Sequence, residues 1–428
     1  MSGHRPQPGV PERAAGESVR VVELDIGPVA HGGMCVARHQ GRVVFVRHAL
    51  PGERVRACLT DTSHDRYWRA DAVEVLRPSA DRVAAPCPHA GPGRCGGCDW
   101  QHTSVAAQRR FKAGVVREQL RRLAGLDWPV EVEALDPPPG ALPDGLGWRT
   151  RMRYTLTEQG EVALRGHRSH EIVAAADCRI AHPLVRAAVA GRTFPAAGAG
   201  TADGAAGPEI DVAASVSSGS TIITSEARAA GFSAGDADTE IVEVVRGRRF
   251  ILAPGVFWQV HPGAPEALVD AVLTGLAPRA GERALDLYAG AGLFTAALAE
   301  AVGPGGLVVA MESDPRAVAS AARSLADLPQ VSLRGVRVSP GSLRGLAGTG
   351  ADIVVLDPPR AGAGTAVMRE LLALGPRAVV YVACDPASLG RDLAVAVAQG
   401  YSLAELRAFD LFPMTAHVEC VALLHGPV

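Results

Sequence analysis

The sequence predicts an α/β protein in three parts, the last of which is a Rossmann-like, doubly wound domain. Three observations predict this fold class. Apolar strand-like segments alternate with helical ones over residues 251–428. Short strands separated by glycine turns fill residues 18–78, and a cysteine-rich loop followed by a helix and a hairpin lies in residues 79–250. The middle part is therefore expected to be an α+β domain.

Charge and hydropathy limit the class of protein before any motif is considered. Residues 1–17 contain no apolar segment and predict a disordered leader. No apolar run approaches the roughly 18 residues that a membrane span requires, so we expect a cytoplasmic protein without membrane partners. The net charge is −2, but basic residues outnumber acidic ones up to residue 170 and acidic residues dominate beyond it. This asymmetry predicts that the N-terminal half faces RNA.

Residues 18–78 predict a small β-barrel of the OB type, a shape that often binds oligonucleotides. The segment DIGPVAHGGMCVARHQGRVVFVRHALPGERVRACLT closely resembles the TRAM domain of RNA-modifying enzymes. The resemblance implies RNA binding by cations and stacking rings. The candidates are Arg38, Arg42, Arg47, Arg54, Arg56, Arg66, Tyr67, Trp68 and Arg69. For each of them an ordinary solvated barrel face is the alternative.

A proline- and glycine-rich loop in the middle part carries three cysteines, and a fourth follows much later. Cys87, Cys95 and Cys98 lie in APCPHAGPGRCGGCDWQH, and Cys178 lies in AAADCRIAHP. Without a secretion signal, metal binding or catalysis is a better interpretation than disulfides. Four thiolates suit a [4Fe-4S] cluster or zinc. Three nearby cysteines and one distant one favour the cluster, because zinc usually takes two Cys-x-x-Cys pairs; fortuitous free cysteines are the third alternative.

The rest of the middle part predicts a helix, a hairpin and an insertion. VAAQRRFKAGVVREQLRRL predicts the helix, and WRTRMRYTLTEQGEVALRGHRSHEIV predicts the β-hairpin. Arg149, Arg151 and Arg153 recur at period two and share one strand face. They either line an RNA path or protect an edge strand from aggregation. Residues 196–207 and 227–238 are rich in Ala, Gly, Ser and Asp and predict loops or an insertion.

The first strand–turn–helix units of residues 251–428 predict a nucleotide-type ligand site. Gly290 and Gly292 lie in the first turn, and Glu312 ends the second strand, where an acidic residue commonly binds ribose hydroxyls. The glycine pattern also fits NAD. The Asp357-Pro358-Pro359 loop after a later strand favours S-adenosylmethionine, because hydride transfer has no need of it.

Cys384 follows the next strand, so its thiol is expected at the rim where ligands bind to parallel sheets. An isolated cysteine is usually a small buried hydrophobe, but the neighbouring motifs favour a nucleophile. His417 and Glu419 lie on the last hydrophobic segment, where a base could face the thiol. Arg360, or the helix start after Asp385, would favour the thiolate.

Six motifs occur in the order found in the uracil-C5 RNA methyltransferases, which make 5-methyluridine in rRNA and tRNA. They are FWQVHP, DLYAGAGLFT, MESDPRAV, LDPPRAG, YVACDPASLGRD and FPMTAHVE. The resemblance implies a class I methyltransferase domain. It also implies that Cys384 adds to C6 of uracil and that Glu419 accepts the C5 proton. The residues that it assigns to S-adenosylmethionine are Gln259, Tyr288, Glu312 and Asp357.

The cysteine loop and the TRAM-like region extend this resemblance and favour 23S rRNA over tRNA as substrate. A monomer is expected. A tRNA methyltransferase and a non-catalytic RNA-binding protein are alternatives, as is an amino-methyltransferase, which would need no nucleophilic cysteine. The chain departs from the family pattern at Asp385, where asparagine is usual, and this carboxylate adds negative charge beside the nucleophile.

Overall fold

The fold is that of a computed structural model, which describes residues 20–142, 144–167, 169, 171–194, 208–225, 240–346 and 350–427. The expected leader, 1–17, and both parts of the expected insertion, 196–207 and 227–238, lie outside the described residues. Among the helices that are described, none has the length and apolar character needed to cross a membrane.

The N-terminal part is a strongly curved five-stranded sheet with the order β1-β4-β5-β3-β2. Its strands are β1 (Val21–Asp25), β2 (Cys35–His39), β3 (Arg42–Arg47), β4 (Arg54–Asp61) and β5 (Tyr67–Arg77). Buried and exposed residues alternate along β1 and along the first four residues of β4, so one face of the sheet packs inward. Register shifts interrupt the β4–β5 pairing and increase the local twist that curls the sheet.

The middle part contains a second sheet, with the order β11-β10-β7-β8-β9, and a separate hairpin. The strands of the sheet are β7 (Arg151–Leu156), β8 (Val162–Arg165), β9 (Ile172–Val173), β10 (Glu209–Ala214) and β11 (Thr221–Ser225). The hairpin consists of β12 (Ile241–Val245) and β13 (Arg248–Leu252). Antiparallel pairing of β7 with β8 confirms the hairpin that the sequence predicts.

The C-terminal part is built on an eight-stranded sheet with the order β16-β15-β14-β17-β18-β20-β19-β6. The first five of these strands are parallel, whereas β20 runs antiparallel to β18. Its strands are β6 (Val132–Ala134), β14 (Arg283–Leu287), β15 (Leu307–Glu312), β16 (Val331–Gly335), β17 (Ile353–Leu356), β18 (Ala378–Ala383), β19 (Ser402–Asp410) and β20 (Glu419–His425).

Helices cover both faces of this sheet, as a mostly parallel sheet requires. They are α1 (Val105–Ala124), α3 (Ala264–Leu276), α4 (Leu293–Val302), α5 (Pro315–Ser324), α6 (Pro340–Arg344), α7 (Thr365–Leu372) and α8 (Pro386–Ala398). The remaining described helix, α2 (Pro183–Val189), packs against β10 and β11 of the middle sheet. Every residue of β17 and β18 is buried. The doubly wound fold that the sequence predicts for this part is confirmed.

Two elements of the middle segment belong physically to the C-terminal sheet. Strand β6 extends the sheet by pairing with β19, and helix α1 packs along α8. The α1–α8 contact is close because Gly390 lacks a side chain: a Cβ there would lie 3.1 Å from the carbonyl oxygen of Gln119. The cysteine loop, which directly precedes α1, is thereby fixed relative to the C-terminal sheet.

Candidate active site and cysteine cavity

Cys384 and Glu419 lie next to each other at the end of two paired strands. In the antiparallel β18–β20 ladder the last pair is Ala383 with Cys420, so Cys384 follows one member and Glu419 precedes the other. Glu419 is buried, with 4% of its surface exposed, and Cys384 is half-buried. The structure therefore brings together the two residues that the sequence analysis assigned to nucleophile and proton acceptor.

Both groups titrate far from their usual range. Burial, together with the charges of nearby acidic groups, raises the pKa of Cys384 to about 12. These acidic groups are Glu419, Asp357 and Asp385. Burial also raises the pKa of Glu419 well above its ordinary value, with a contribution from Asp357. The charge of Arg360 lowers the pKa of both Cys384 and Glu419 and so partly offsets these effects. The free site therefore favours the neutral thiol and the neutral carboxyl group.

The hydrogen-bond partner of His417 is Arg360 and not the Cys384 thiol. The Arg360 guanidinium donates a hydrogen bond from Nη2 to Nε2 of His417, over 3.1 Å. Burial, with the charge of Arg360, lowers the pKa of His417 to about 4, so this nitrogen is available as an acceptor at neutral pH. The imidazole thus orients the cation that favours ionisation of Cys384.

Asp385 begins helix α8 directly after the nucleophile. Its Oδ1 accepts a hydrogen bond from the backbone N–H of Ser388 at 2.7 Å, which caps the helix. Its Oδ2 lies 2.8 Å from Nε2 of His31, in the loop between β1 and β2 of the N-terminal sheet. His31 was not among the predicted site residues, and no local pattern in the sequence predicts this partner for residue 385.

Three of the four proposed cofactor residues lie at the carboxyl ends of adjacent parallel strands. Tyr288 follows β14 in the left-handed region, with φ 65°, and Glu312 ends β15. Asp357 follows β17, and its backbone N–H donates to the Leu287 carbonyl over 3.2 Å. The Glu312 carboxylate accepts a hydrogen bond from the Gly290 N–H at 2.9 Å, so it lies against the glycine turn.

Gln259 lies outside these strand ends, on the segment between β13 and α3. Its side chain is 9% exposed and makes no hydrogen bond with any residue that the structure describes. The segment is fixed because Thr150 donates to the Val260 carbonyl from both its backbone nitrogen and its hydroxyl, each over 2.9 Å. An amide held in place but unpaired is suited to contact a ligand.

A buried carboxylate organises the glycine turn. Asp286, in β14, accepts a hydrogen bond from the Thr295 hydroxyl at 2.5 Å, which ties the strand to helix α4. Burial raises the pKa of Asp286 to about 7. The glycine turn and the Glu312 carboxylate thus meet at the rim where ligands bind to parallel sheets.

The four predicted cysteine ligands line one cavity of about 160 Å³. Cys178 comes from beyond β9 and joins Cys87, Cys95 and Cys98 of the loop. Hydrogen bonds reach two sulfur atoms, from the Gly97 N–H to Cys95 at 3.5 Å and from Gln101 Nε2 to Cys98 at 3.4 Å. Within the described parts of the chain, no three Cys, His, Asp or Glu side chains are grouped closely enough to hold a single metal ion.

The cysteine loop is hydrogen-bonded to the segment that carries His417 and Glu419. The Met414 carbonyl accepts from the backbone N–H groups of both Asp99 and Trp100 at 3.0 Å. The Trp100 indole donates to the Gly33 carbonyl, also at 3.0 Å. The only lysine of the sequence, Lys112 of α1, is fully buried, and its Nζ donates to Asp410 Oδ1 at 2.5 Å. None of these contacts was selected in the sequence analysis, although a single lysine on a helix was a visible signal.

Arg151 and Arg153 lie on one face of β7, as the sequence predicts, whereas Arg149 precedes this strand. Arg151 pairs with Glu243 at 3.1 Å, and Arg153 pairs with Asp211 at 2.8 Å. Strand β7 lies in the centre of its sheet, so the interpretation that these arginines protect an edge strand is wrong. Arg149 lines the cysteine cavity.

One expected RNA-stacking ring is not available. Trp68 of β5 is 7% exposed, and the guanidinium groups of Arg20 and Arg42 lie 5.7 and 4.9 Å from its ring centroid. The expectation that Trp68 offers its face to RNA is therefore wrong, because the ring packs into the barrel and cations cover it. Tyr67, by contrast, stacks on His64 at the surface.

Comparison with known proteins identifies the family of this chain. Residues 345–426 match the family described as tRNA (uracil-5-)-methyltransferase, and residues 17–73 match the TRAM domain. An uncharacterized RNA methyltransferase of Streptomyces avermitilis is 46% identical, over 94% of this chain and 97% of its own length. The 23S rRNA (uracil(1939)-C(5))-methyltransferase RlmD of Alkalilimnicola ehrlichii is 34% identical, over 94% of this chain and 96% of its own.

The chain belongs to the uracil-5 RNA methyltransferase family. Its fold also matches the crystal structure of Pyrococcus abyssi tRNA (uracil-54, C5)-methyltransferase in complex with S-adenosyl-L-homocysteine. That match has a TM-score of 0.64 at 21% identity and covers 94% of this chain and 99% of the other. The N-terminal sheet is the TRAM domain, and strands β17 to β20 of the eight-stranded sheet lie within the methyltransferase family match.

Proposed function

We propose that this protein methylates C5 of a uridine in 23S rRNA, with S-adenosylmethionine as the methyl donor and Cys384 as a covalent nucleophile. The observation that carries the proposal is the juxtaposition of Cys384 and Glu419 at the end of the β18–β20 ladder. The 34% identity to a 23S rRNA methyltransferase, along nearly the whole of both chains, supports ribosomal RNA as the substrate.

Uracil C5 is a weak nucleophile, and addition of a thiolate to C6 makes it reactive. The Cys384 thiol must first lose its proton to solvent; an ionised Glu419 opposes this loss, and Arg360 favours it. The thiolate therefore forms more readily while Glu419 is protonated. The Cys384 sulfur then bonds to C6, and the electron pair displaced from the C5–C6 double bond makes C5 nucleophilic.

S-adenosylmethionine, when bound, supplies the methyl group that C5 attacks. Tyr288, Glu312 and Asp357 would hold this cofactor at the ends of β14, β15 and β17, and Gln259 would contact it from the segment between β13 and α3. Glu419, after it has lost its own proton to solvent, accepts the proton of C5. The electrons of the C5–H bond re-form the double bond, and the Cys384 sulfur leaves C6. A buried carboxylate with a raised pKa suits this role.

We propose that the four cysteines hold a [4Fe-4S] cluster rather than zinc. They surround one cavity, and N–H groups point at two of the sulfur atoms, as is common for cluster ligands. A zinc ion needs four ligand atoms within bonding distance of a single point, whereas the cysteines that bind a cluster can lie farther from one another. In this proposal Cys87, Cys95, Cys98 and Cys178 hold the cluster, which stiffens the loop that contacts the Met414 carbonyl. We further propose that the protein acts as a monomer in the cytoplasm, where it meets rRNA.

The test is methyl transfer from labelled S-adenosylmethionine to unmodified transcripts of 23S rRNA and tRNA, followed by nucleoside analysis. The wild-type protein should place label in 5-methyluridine of 23S rRNA. Cys384→Ala should transfer none and still bind RNA, whereas Cys420→Ala removes the neighbouring buried cysteine and should retain activity.

Each alternative gives a different result. Label in tRNA alone would assign the protein to tRNA, and tight RNA binding without any label would indicate a non-catalytic binding protein. Normal turnover by Cys384→Ala would exclude the covalent mechanism and favour an amino-methyltransferase.

A further inference from the structure

The loop between β1 and β2 of the TRAM domain reaches the nucleophile of the other domain. His31 contacts Asp385, the residue after Cys384, with a distance of 2.8 Å between Nε2 and Oδ2. Gly33 packs on Ala416 so closely that a Cβ at Gly33 would lie 2.5 Å from the Ala416 Cβ. This loop therefore lies between the segments that carry Cys384 and Glu419, and is placed to influence both.

Both carboxylate oxygens of Asp385 accept hydrogen bonds. One donor belongs to helix α8, and the other comes from the TRAM domain. Oδ1 takes the Ser388 N–H, as an asparagine oxygen also would. Oδ2 is the second acceptor oxygen of aspartate, which an asparagine lacks, and it accepts from His31. Burial alone would raise the pKa of Asp385, but His31 and Ser388 outweigh it and bring the pKa to about 2, so the carboxylate stays charged.

The charge of Asp385 matters because it acts on Cys384. The charged groups that act on the thiol are Glu419 from β20, Asp357 and Arg360 from the loop after β17, and Asp385 from the start of α8. Three of these are acidic and only Arg360 is basic. A proton on His31 would offset the Asp385 charge, and the His31–Asp385 pair is partly shielded, with 40% and 22% of the side chains exposed.

We infer that His31 is a positioning residue of the methyltransferase site: it neutralises and orients Asp385 and thereby favours the Cys384 thiolate. The TRAM domain then contributes to the reactivity of the nucleophile in addition to any RNA binding. This inference rests on the proposed role of Cys384. It predicts that the effect of His31 depends on a carboxylate at residue 385.

The experiment measures how fast iodoacetamide alkylates Cys384 between pH 6 and 10, in the full-length protein without RNA or cofactor. Mass spectrometry of the Cys384 peptide separates this thiol from the other cysteines. His31→Gln keeps a hydrogen-bonding side chain but cannot carry charge. It should slow alkylation about three- to tenfold at the acidic end of this range, where an imidazole can carry a proton, and should have less effect toward pH 10; such slowing corresponds to a rise of about half to one pKa unit.

The decisive comparison is with Asp385→Asn, which should accelerate alkylation and make His31→Gln nearly without effect. His64→Gln is the matched control, because His64 is another TRAM histidine beside an aspartate, Asp61, 3.7 Å away. Equal slowing by His31→Gln with and without the Asp385→Asn change, or no slowing in either case, would overturn the inference. Because the assay needs neither methyl donor nor RNA, its failure is distinguishable from failure of the proposed methyl transfer.

Discussion

The carboxylate of Asp99 accepts a hydrogen bond from the backbone N–H of Ala416, with 3.0 Å between Oδ2 and N. Asp99 directly follows the cysteine ligand candidate Cys98, and Ala416 lies three residues before Glu419. The bond therefore joins the cysteine loop to the segment that carries the proton acceptor. A change that displaces the cysteine loop is therefore expected to displace Glu419 as well.

Asp99→Ala should reduce the maximal methylation rate about ten- to a hundredfold, because small displacements of reacting groups have effects of this size. RNA affinity should change little. Asp99→Asn keeps an acceptor for the Ala416 N–H and should be much less impaired. Single-turnover kinetics at saturating RNA measure the rate, and equal loss in both variants would show that the charge of Asp99 matters rather than this bond.

Glu419→Gln should accumulate a covalent adduct between the protein and methylated RNA. The amide cannot accept the C5 proton, so the Cys384–C6 bond persists after methyl transfer. Denaturing gel electrophoresis with labelled RNA measures the adduct. The double variant Cys384→Ala with Glu419→Gln is the control and should give no adduct; normal product release by Glu419→Gln would contradict the assignment.

Lys112→Met should destabilise the fold by about 3–5 kcal/mol, because it leaves the buried Asp410 carboxylate without its partner. Adding Asp410→Leu removes the stranded charge and should recover part of the loss. Chemical denaturation measures the free energy of unfolding. If the double variant were no more stable than Lys112→Met, the Lys112–Asp410 pair would not explain the loss.

Glu53→Gln should lower stability at pH 7 but not in strong acid. Glu53 of the TRAM domain is fully buried. Burial would raise its pKa, but hydrogen bonds from Arg82 and backbone N–H groups hold it below the ordinary 4.5. A depressed folded-state pKa adds stability above about pH 4.5 that is lost as the pH falls through the folded value. Thermal unfolding of both proteins from pH 7 to pH 3 should show the difference narrowing, and a constant difference would exclude this cause.

Cys178→Ser should abolish cluster binding and leave the rest of the fold largely intact. Anaerobically purified wild type should contain about four iron and four sulfide per chain, as four cysteine ligands imply. The variant should lose both, together with the visible absorption. Cys58→Ser, at a buried TRAM cysteine outside the cavity, is the control and should retain iron. Stoichiometric zinc in the wild type, without sulfide, would support the alternative metal.

Local sequence patterns were sufficient for the elements and for much of the site. Glycine turns, buried β-strand runs and capping residues are short-range signals, so the strands of the C-terminal sheet and the positions of Glu312, Asp357 and Cys384 at strand ends could be predicted. The spacing of Arg149, Arg151 and Arg153 predicted a shared face, but not the acidic partners of Arg151 and Arg153. Those partners come from β10 and β12, and strand pairing brings them near.

By itself, the sequence determined the order of the domains, the ends of the parallel strands and the residue types that carry the chemistry. Only the tertiary structure decided that Glu419 lies beside Cys384, that Cys178 joins the cysteine loop, and that His31 contacts Asp385 across 354 positions of the chain. The physical reason is the sequence separation of the residues that interact. Backbone conformation follows from neighbouring residues, whereas burial, pKa shifts and ion pairs depend on groups that approach only after the sheets have paired and packed.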